Sequence, residues 1–170
     1  MLVGHSYGGM VITGAAAALQ AATPGRVGAL IYVDAMAPSS GGGWGVGHTA
    51  EVAAARLAIA AEHGNALPAP DPSEGFKLSV EDADWLRRRH VPHPFGMYRE
   101  PLVYDEALLQ SVPRQFIDCN DPGYPNIEPI RKRVRETPGW NVAEIATGHF
   151  PMVTEPDALV SHILSFVAGS

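Results

Sequence analysis

Apolar positions fall into short continuous runs separated by longer, mixed stretches. Met1 to Val3 is a short apolar run that stops at Gly4. Tyr7 to Ala22 is apolar almost all round and rich in alanine, which predicts a helix buried on every side. Thr23-Pro24-Gly25 stops it. Val27 to Val33 is a continuous apolar run between Gly25 and Pro38 and predicts a buried parallel strand. The pattern returns at Gln115 to Cys119, a second such strand. Asn126 to Glu136 follows as a helix with Ile127, Ile130 and Val134 on one face and basic residues on the other. Trp140 to Ile145 reads as another strand. Thr154-Glu155-Pro156-Asp157 opens a last helix, whose stripe Leu159, Ile163, Phe166 and adjoining stripe Val160, Leu164, Val167 predict a broad buried face.

Between Pro38 and Pro113 the pattern changes. Ser39 to Gly43 is a flexible loop, and Glu51 to His63 is a helix closed by Gly64. Leu67 to Ser73 is a proline-rich linker. Ser79-Val80-Glu81-Asp82 resembles a capping box that opens a helix through Arg89, with acid at its start and Arg87, Arg88 and Arg89 at its end, as the helix dipole prefers. The order is strand, helix, strand, insertion, strand, helix, strand, helix. That alternation predicts an α/β fold with a parallel sheet of about four strands flanked by helices. It divides the chain into core (1–37), a helical insertion over the core (38–113) and core again (114–170).

Composition narrows the function classes. Hydrophobic residues make up 46% of the 170 positions, and 12 basic against 18 acidic residues give a net charge of −6. That balance repels a phosphate backbone, so nucleic acid is not an expected partner. Cys119 is the only cysteine, which excludes an internal disulfide framework and a cysteine-rich zinc site and fits a reducing cytosol. The longest apolar stretch, near Met10 to Leu19, is far short of the roughly 20 residues of a membrane span. The first residues carry no basic segment of a secretion signal. His90 and His93 have metal-like spacing, but Pro92 and Pro94 interrupt any helix there and no carboxylate or cysteine clusters beside them. Neither a metal nor a cofactor is expected.

Gly4-His5-Ser6-Tyr7-Gly8 matches G-x-S-x-G. The pattern needs a sharp turn from strand to helix, with glycines where backbone segments pass closely. The serine hydroxyl then stands clear of the sheet, and the next backbone N–H, here Tyr7, can face a developing oxyanion. A strand-like run precedes this pentapeptide and an apolar helix follows it. A serine hydroxyl needs a base within hydrogen-bond reach. Of seven histidines, His149 lies between the last strand and the last helix, at the C-terminal edge of the sheet where ligands bind in such folds.

Here the chain resembles the α/β-hydrolase superfamily, and more narrowly small esterases related to plant methyl-ester esterases and hydroxynitrile lyases. The residues carrying the resemblance are Gly4-His5-Ser6-Tyr7-Gly8-Gly9, Tyr32-Val33-Asp34-Ala35-Met36-Ala37-Pro38 and Thr147-Gly148-His149. It implies the C-terminal half of that fold, a cap or lid at 38–113, and a catalytic serine (Ser6), base (His149) and acid acting on a small ester. The acid has two candidates. Asp121, in Asp118-Cys119-Asn120-Asp121-Pro122, occupies the usual region, in a loop that looks shortened. Asp34 ends the second strand, where haloalkane dehalogenases are similar, and an acid closing an apolar strand is costly without a partner. Asp118 ranks behind both, because strand alternation points it away from Asp121's side of the strand. A serine at the elbow argues against dehalogenation. Phe150 stands where the similar lyases carry lysine, so ester hydrolysis fits better than cyanide release. Trp44, Trp85, Phe95, Met97 and Tyr98 are candidates to line an apolar pocket.

The resemblance also implies a preceding half, with the loop that supplies a second oxyanion N–H. The 170-residue chain is therefore expected to behave as a fragment, weakly active or inactive alone, with Met1 to Val3 at an exposed sheet edge. A non-catalytic remnant that keeps the triad residues, or a ligand-binding protein on the same fold, stays open beside the hydrolase. Substrate identity and oligomeric state are not set by these residues.

Overall fold

The computed structural model describes residues 1–45 and 48–169. In chain order the elements are β1 (Leu2–His5), α1 (Gly8–Ala22), β2 (Leu30–Val33), α2 (Ala50–Glu62), β3 (Ala66–Leu67), α3 (Val80–Arg87), β4 (His93–Pro94), α4 (Gly96–Arg99), β5 (Arg114–Cys119), α5 (Glu128–Glu136), β6 (Trp140–Ile145), α6 (Pro151–Thr154) and α7 (Pro156–Ala168). Strands β1, β2, β5 and β6 form one parallel sheet in that order, with Leu2 beside Leu30, Leu30 beside Arg114 and Arg114 beside Trp140. Every residue of β2 is buried, because helices cover both faces of this inner strand. Leu30 and Tyr32 point to the side of α1 and α5, where they pack with Ile12, Ala16, Ile127 and Val134. Ile31 and Val33 alternate to the other side and meet Leu159 and Ile163 of α7.

Several boundaries depart from the pattern, each for a local reason. The predicted strand from Val27 begins only at Leu30; Val27 is buried but gives its N–H to the Gln20 side chain at 3.1 Å instead of to a ladder. The helix expected from Asn126 opens as a 3-10 turn over Pro125–Ile127 before α5 starts at Glu128. The last helix is split into α6 and α7 at Glu155, which precedes Pro156 and is held out of helical torsions (φ −139°, ψ 53°), since a residue before proline is disfavoured in helical geometry.

Two burial expectations are corrected. α1 is not covered all round: Val11 and Leu19 lie exposed. Only the Leu159, Ile163, Phe166 stripe of α7 packs on the core, while Val160, Leu164 and Val167 face outward. Val3 is 42% exposed on β1, which among the described residues has a strand neighbour on one side only.

Residues between β2 and β5 carry α2, α3, α4 and the two-stranded antiparallel pair β3–β4. This segment has a small core of Ala60, Leu67, Phe95 and Tyr98, with Trp44 against it. Thr49 and Ser79 cap α2 and α3, each accepting from the N–H three residues on. Phe76 and Leu86 pack with Phe150, which ties the segment to the loop before α6. No helix among the described residues is long and apolar enough to cross a membrane.

Candidate active site

The turn between β1 and α1 is built by close backbone packing. A Cβ on Gly4 would lie 2.6 Å from the Gly8 carbonyl oxygen, and one on Gly9 would lie 1.8 Å from that of Met36. Gly8 itself has open space around its Cβ position, so of these three glycines Gly4 and Gly9 are the ones required by contact. Ser6 sits at φ 54°, a left-handed backbone that costs a non-glycine residue energy and persists only when its surroundings enforce it. They do: the Ser6 N–H bonds Val33 O at 3.3 Å, and the Ser6 carbonyl accepts from Met36 N at 2.9 Å and Gly9 N at 3.2 Å. Asp34, at the end of the neighbouring strand, is also left-handed (φ 41°), with its N–H on Ile117 O at 2.8 Å.

Ser6, His149 and Asp34 are joined by hydrogen bonds. His149 Nε2 lies 3.0 Å from Ser6 Oγ, and His149 Nδ1 lies 2.7 Å from Asp34 Oδ2. Asp34 is fully buried, and His149 is almost so. With the proton on Nδ1 the imidazole donates to the carboxylate and accepts from the serine hydroxyl, the tautomer that satisfies all three groups. Gly148 sets the approach of this loop, since a Cβ there would lie 2.2 Å from the Phe76 carbonyl oxygen. Rings of Tyr124, His5, Phe150 and Phe76 surround the imidazole at 4.4 to 6.0 Å between centroids.

His5 supports the loop from below. Its Nε2–H donates to the His149 carbonyl at 2.6 Å. Burial, reinforced by the nearby His149, lowers its pKa from 6.5 to about 4. Between those values the unfolded chain binds a proton that folded His5 refuses. Stability is therefore full above about pH 6.5 and falls as pH drops towards 4, by about 3 kcal/mol from this residue alone. Urea unfolding at about pH 7 and about pH 4.5 tests this. His5→Gln, which keeps an N–H donor but does not titrate, is expected to flatten the difference; an unchanged slope would remove His5 from the account.

The other expected residues are placed as follows. Asp121 stands outside the cluster: its carboxylate pairs with Lys77 at 2.6 Å on the surface, both side chains more than half exposed. Tyr7 follows Ser6 at the start of α1, where the first N–H groups have no acceptor within the helix. The Tyr7 ring packs on His93 and Trp44, and a cleft of about 490 Å³ opens beside it, lined by Met10, Met97, Glu100 and Leu102. Burial, with Glu100 nearby, raises the Tyr7 hydroxyl pKa. Of the proposed pocket aromatics, Phe95 and Tyr98 belong to the core of the inserted segment, and Trp85 is at the surface under the Arg89 guanidinium. His90 and His93 join no cluster of three metal-ligating side chains among the described residues.

The residue that sequence reasoning missed is Arg131. The sequence pattern sets it among basic residues on the face opposite Ile127, Ile130 and Val134, yet it is 4% exposed. Its Nη2 lies 2.7 Å from Asp34 Oδ1 and its Nε 2.5 Å from Asp118 Oδ1. Asp118 is buried on this arginine and also meets Arg135, while Asp121 lies apart from it on Lys77. The signal was present in the spacing. Ile127, Ile130, Arg131 and Val134 follow i, i+3, i+4, i+7, which puts the arginine on the apolar stripe.

A serine held by an imidazole that is itself held by a buried carboxylate is an arrangement suited to nucleophilic catalysis. Comparison with known proteins bears on the family and the fold. The alpha/beta hydrolase family pattern matches residues 1–162. A carbendazim hydrolyzing esterase from Nocardioides sp. (strain SG-4G) is 32% identical over 176 residues, covering 96% of this chain and 69% of the esterase. An extracellular alpha/beta-hydrolase from a Paenibacillus species, reported to share structural and functional homology with tobacco Salicylic Acid Binding Protein 2, superposes with a TM-score of 0.77 at 21% identity, over 96% of this chain and 70% of its own. Tomato Methylketone Synthase I superposes with a TM-score of 0.70 at 18% identity, over 99% and 70%. At such identities the structural likenesses speak for the fold. The fold, the family pattern and the esterase relative together establish that this chain belongs to the alpha/beta hydrolase family.

Proposed function

We propose that the chain is a serine-dependent hydrolase of small carboxylic esters that works through an acyl-enzyme. His149 Nε2 takes the Ser6 proton as Oγ attacks the ester carbonyl carbon. The carbonyl oxygen becomes an oxyanion facing the Tyr7 N–H. The tetrahedral species collapses, the carbon–alkoxy bond breaks, and the imidazolium returns its proton to the departing alcohol. Water, deprotonated by the same imidazole, then releases the carboxylic acid and restores Ser6. Asp34 holds the imidazole tautomer and stabilises its cationic form. Residues 38–113 act as a cap, and the cleft beside Tyr7 receives the apolar part of the ester.

The observation that carries this reading is that one imidazole bridges Ser6 Oγ and Asp34 Oδ2 with hydrogen bonds on both ring nitrogens. The esterase relative supports the bond class. A fluorophosphonate probe tests it directly: attack by Ser6 forms an Oγ–P bond and expels fluoride. A single adduct, mapped by mass spectrometry to the peptide containing Ser6 and absent after heat unfolding, is the expected result. A folded chain that stays unlabelled, or labels elsewhere, would favour a non-catalytic ligand-binding role.

A further inference from the structure

We propose that Arg131 is a positioning residue for the site: it fixes the rotation of the Asp34 carboxylate, and through it the orientation of the His149 imidazole. The inference rests on the hydrolase reading above and extends it to a residue that touches neither Ser6 nor His149.

Asp34 has two carboxylate oxygens and two partners. Oδ2 takes the His149 Nδ1–H, and Oδ1 takes Arg131 Nη2. The second bond decides which oxygen is left for the imidazole and in what plane. The arginine is itself held on several sides: Nε on Asp118, Nη2 also on the Cys119 carbonyl at 3.0 Å, and Nη1 on the Tyr124 carbonyl at 2.9 Å and Glu128 at 3.3 Å. Such a planar fork, engaged at all three nitrogens, cannot be copied by the single ammonium of lysine.

Charge leads to the same conclusion. Asp34 and Asp118 are buried carboxylates on adjacent strands, and each would be costly alone. Arg131 sits between them, and Arg135 closes the outer side of Asp118 and reaches Glu144 at the surface. The groups facing the dyad from the packed elements are His5 and Ser6 from the β1 turn, Cys119 from β5, Tyr124 from the following loop and Arg131 from α5. Burial and the two aspartates push the Cys119 thiol up, so it stays neutral. His5 is neutral above about pH 4. Arg131 is then the cation that meets the Asp34 charge from behind.

The test compares Arg131→Lys and Arg131→Gln with Arg133→Gln on the intact chain. Arg133 lies on the same helix and ties it to Ser39 and the Ala37 carbonyl without touching Asp34. Two readouts are used: the low-field proton NMR resonance of the His149–Asp34 hydrogen bond, and the rate of fluorophosphonate labelling of Ser6. Both arginine-131 variants are expected to lose or broaden the resonance, and Arg131→Lys to label about 100-fold more slowly. Arg133→Gln, even where it lowers thermal stability as much, is expected to keep the resonance and label within threefold of the parent (about 0.6 kcal/mol or less by the transition-state relation). A resonance and rate in Arg131→Lys like those of the parent overturns the proposal. So does equal loss in Arg133→Gln, or loss of the resonance together with methyl dispersion in Arg131→Lys, since either makes the role one of folding. If the parent itself resists the probe, the hydrolase reading fails, and the resonance alone then decides whether Arg131 positions the dyad.

Discussion

Replacing Ser6 with alanine is expected to lower kcat for a short p-nitrophenyl ester by about 100,000- to 1,000,000-fold, the scale seen when a triad nucleophile is deleted. The fold should not follow it down. Ser6 Oγ bonds only His149 Nε2 among the described residues, and the left-handed backbone at position 6 is held by main-chain bonds to Val33, Gly9 and Met36 that alanine keeps. The thermal midpoint should therefore stay close to that of the parent, as for substitutions that remove no core contact. Initial rates and a melting curve on the same preparation check both halves. Turnover in Ser6→Ala within tenfold of the parent would show that the hydroxyl is not the nucleophile.

The second large effect falls on the acid. Asp34→Asn is expected to reduce kcat by about 10,000-fold with little change in KM, because an amide placed against Nδ1 favours the wrong tautomer. The Arg131 guanidinium claims the amide oxygen, as it now claims Oδ1. That leaves the amide NH2 facing the imidazole, so Nδ1 must accept and Nε2 must carry the proton. An Nε2–H cannot take the Ser6 proton. Asp121→Asn is expected to leave kcat within about twofold, since that carboxylate pairs with Lys77 at the surface. Equal losses in the two variants would return the acid role to an open choice.

Much of this site can be read from the chain alone because its parts are marked by local chemistry. A short apolar run, a glycine and a serine before an alanine-rich helix mark the elbow. His149 is marked by its place between the last strand and the last helix. Asp34 stands out as a charge closing an apolar strand. The residues alone leave the choice between Asp34 and Asp121 open, since it depends on which loop reaches the imidazole, and Asp34 does so from 115 residues away in the chain. Arg131 was hidden because charged helix positions default to solvent; only the paired need of two buried carboxylates reveals it. The outer stripe of α7 misled in the opposite direction, because Val160 and Leu164 are as apolar as Leu159 and nothing local says which stripe meets the sheet.

Ser6 and Asp34 share one further property: both occupy left-handed torsions at the ends of adjacent strands. The main chain therefore sets the direction in which each side chain leaves the backbone, before any rotamer is chosen. Glycine would suit either torsion better while abolishing the chemistry. At these two positions selection for thermal robustness and selection for turnover pull in opposite directions, so a lineage released from its substrate should drift there first.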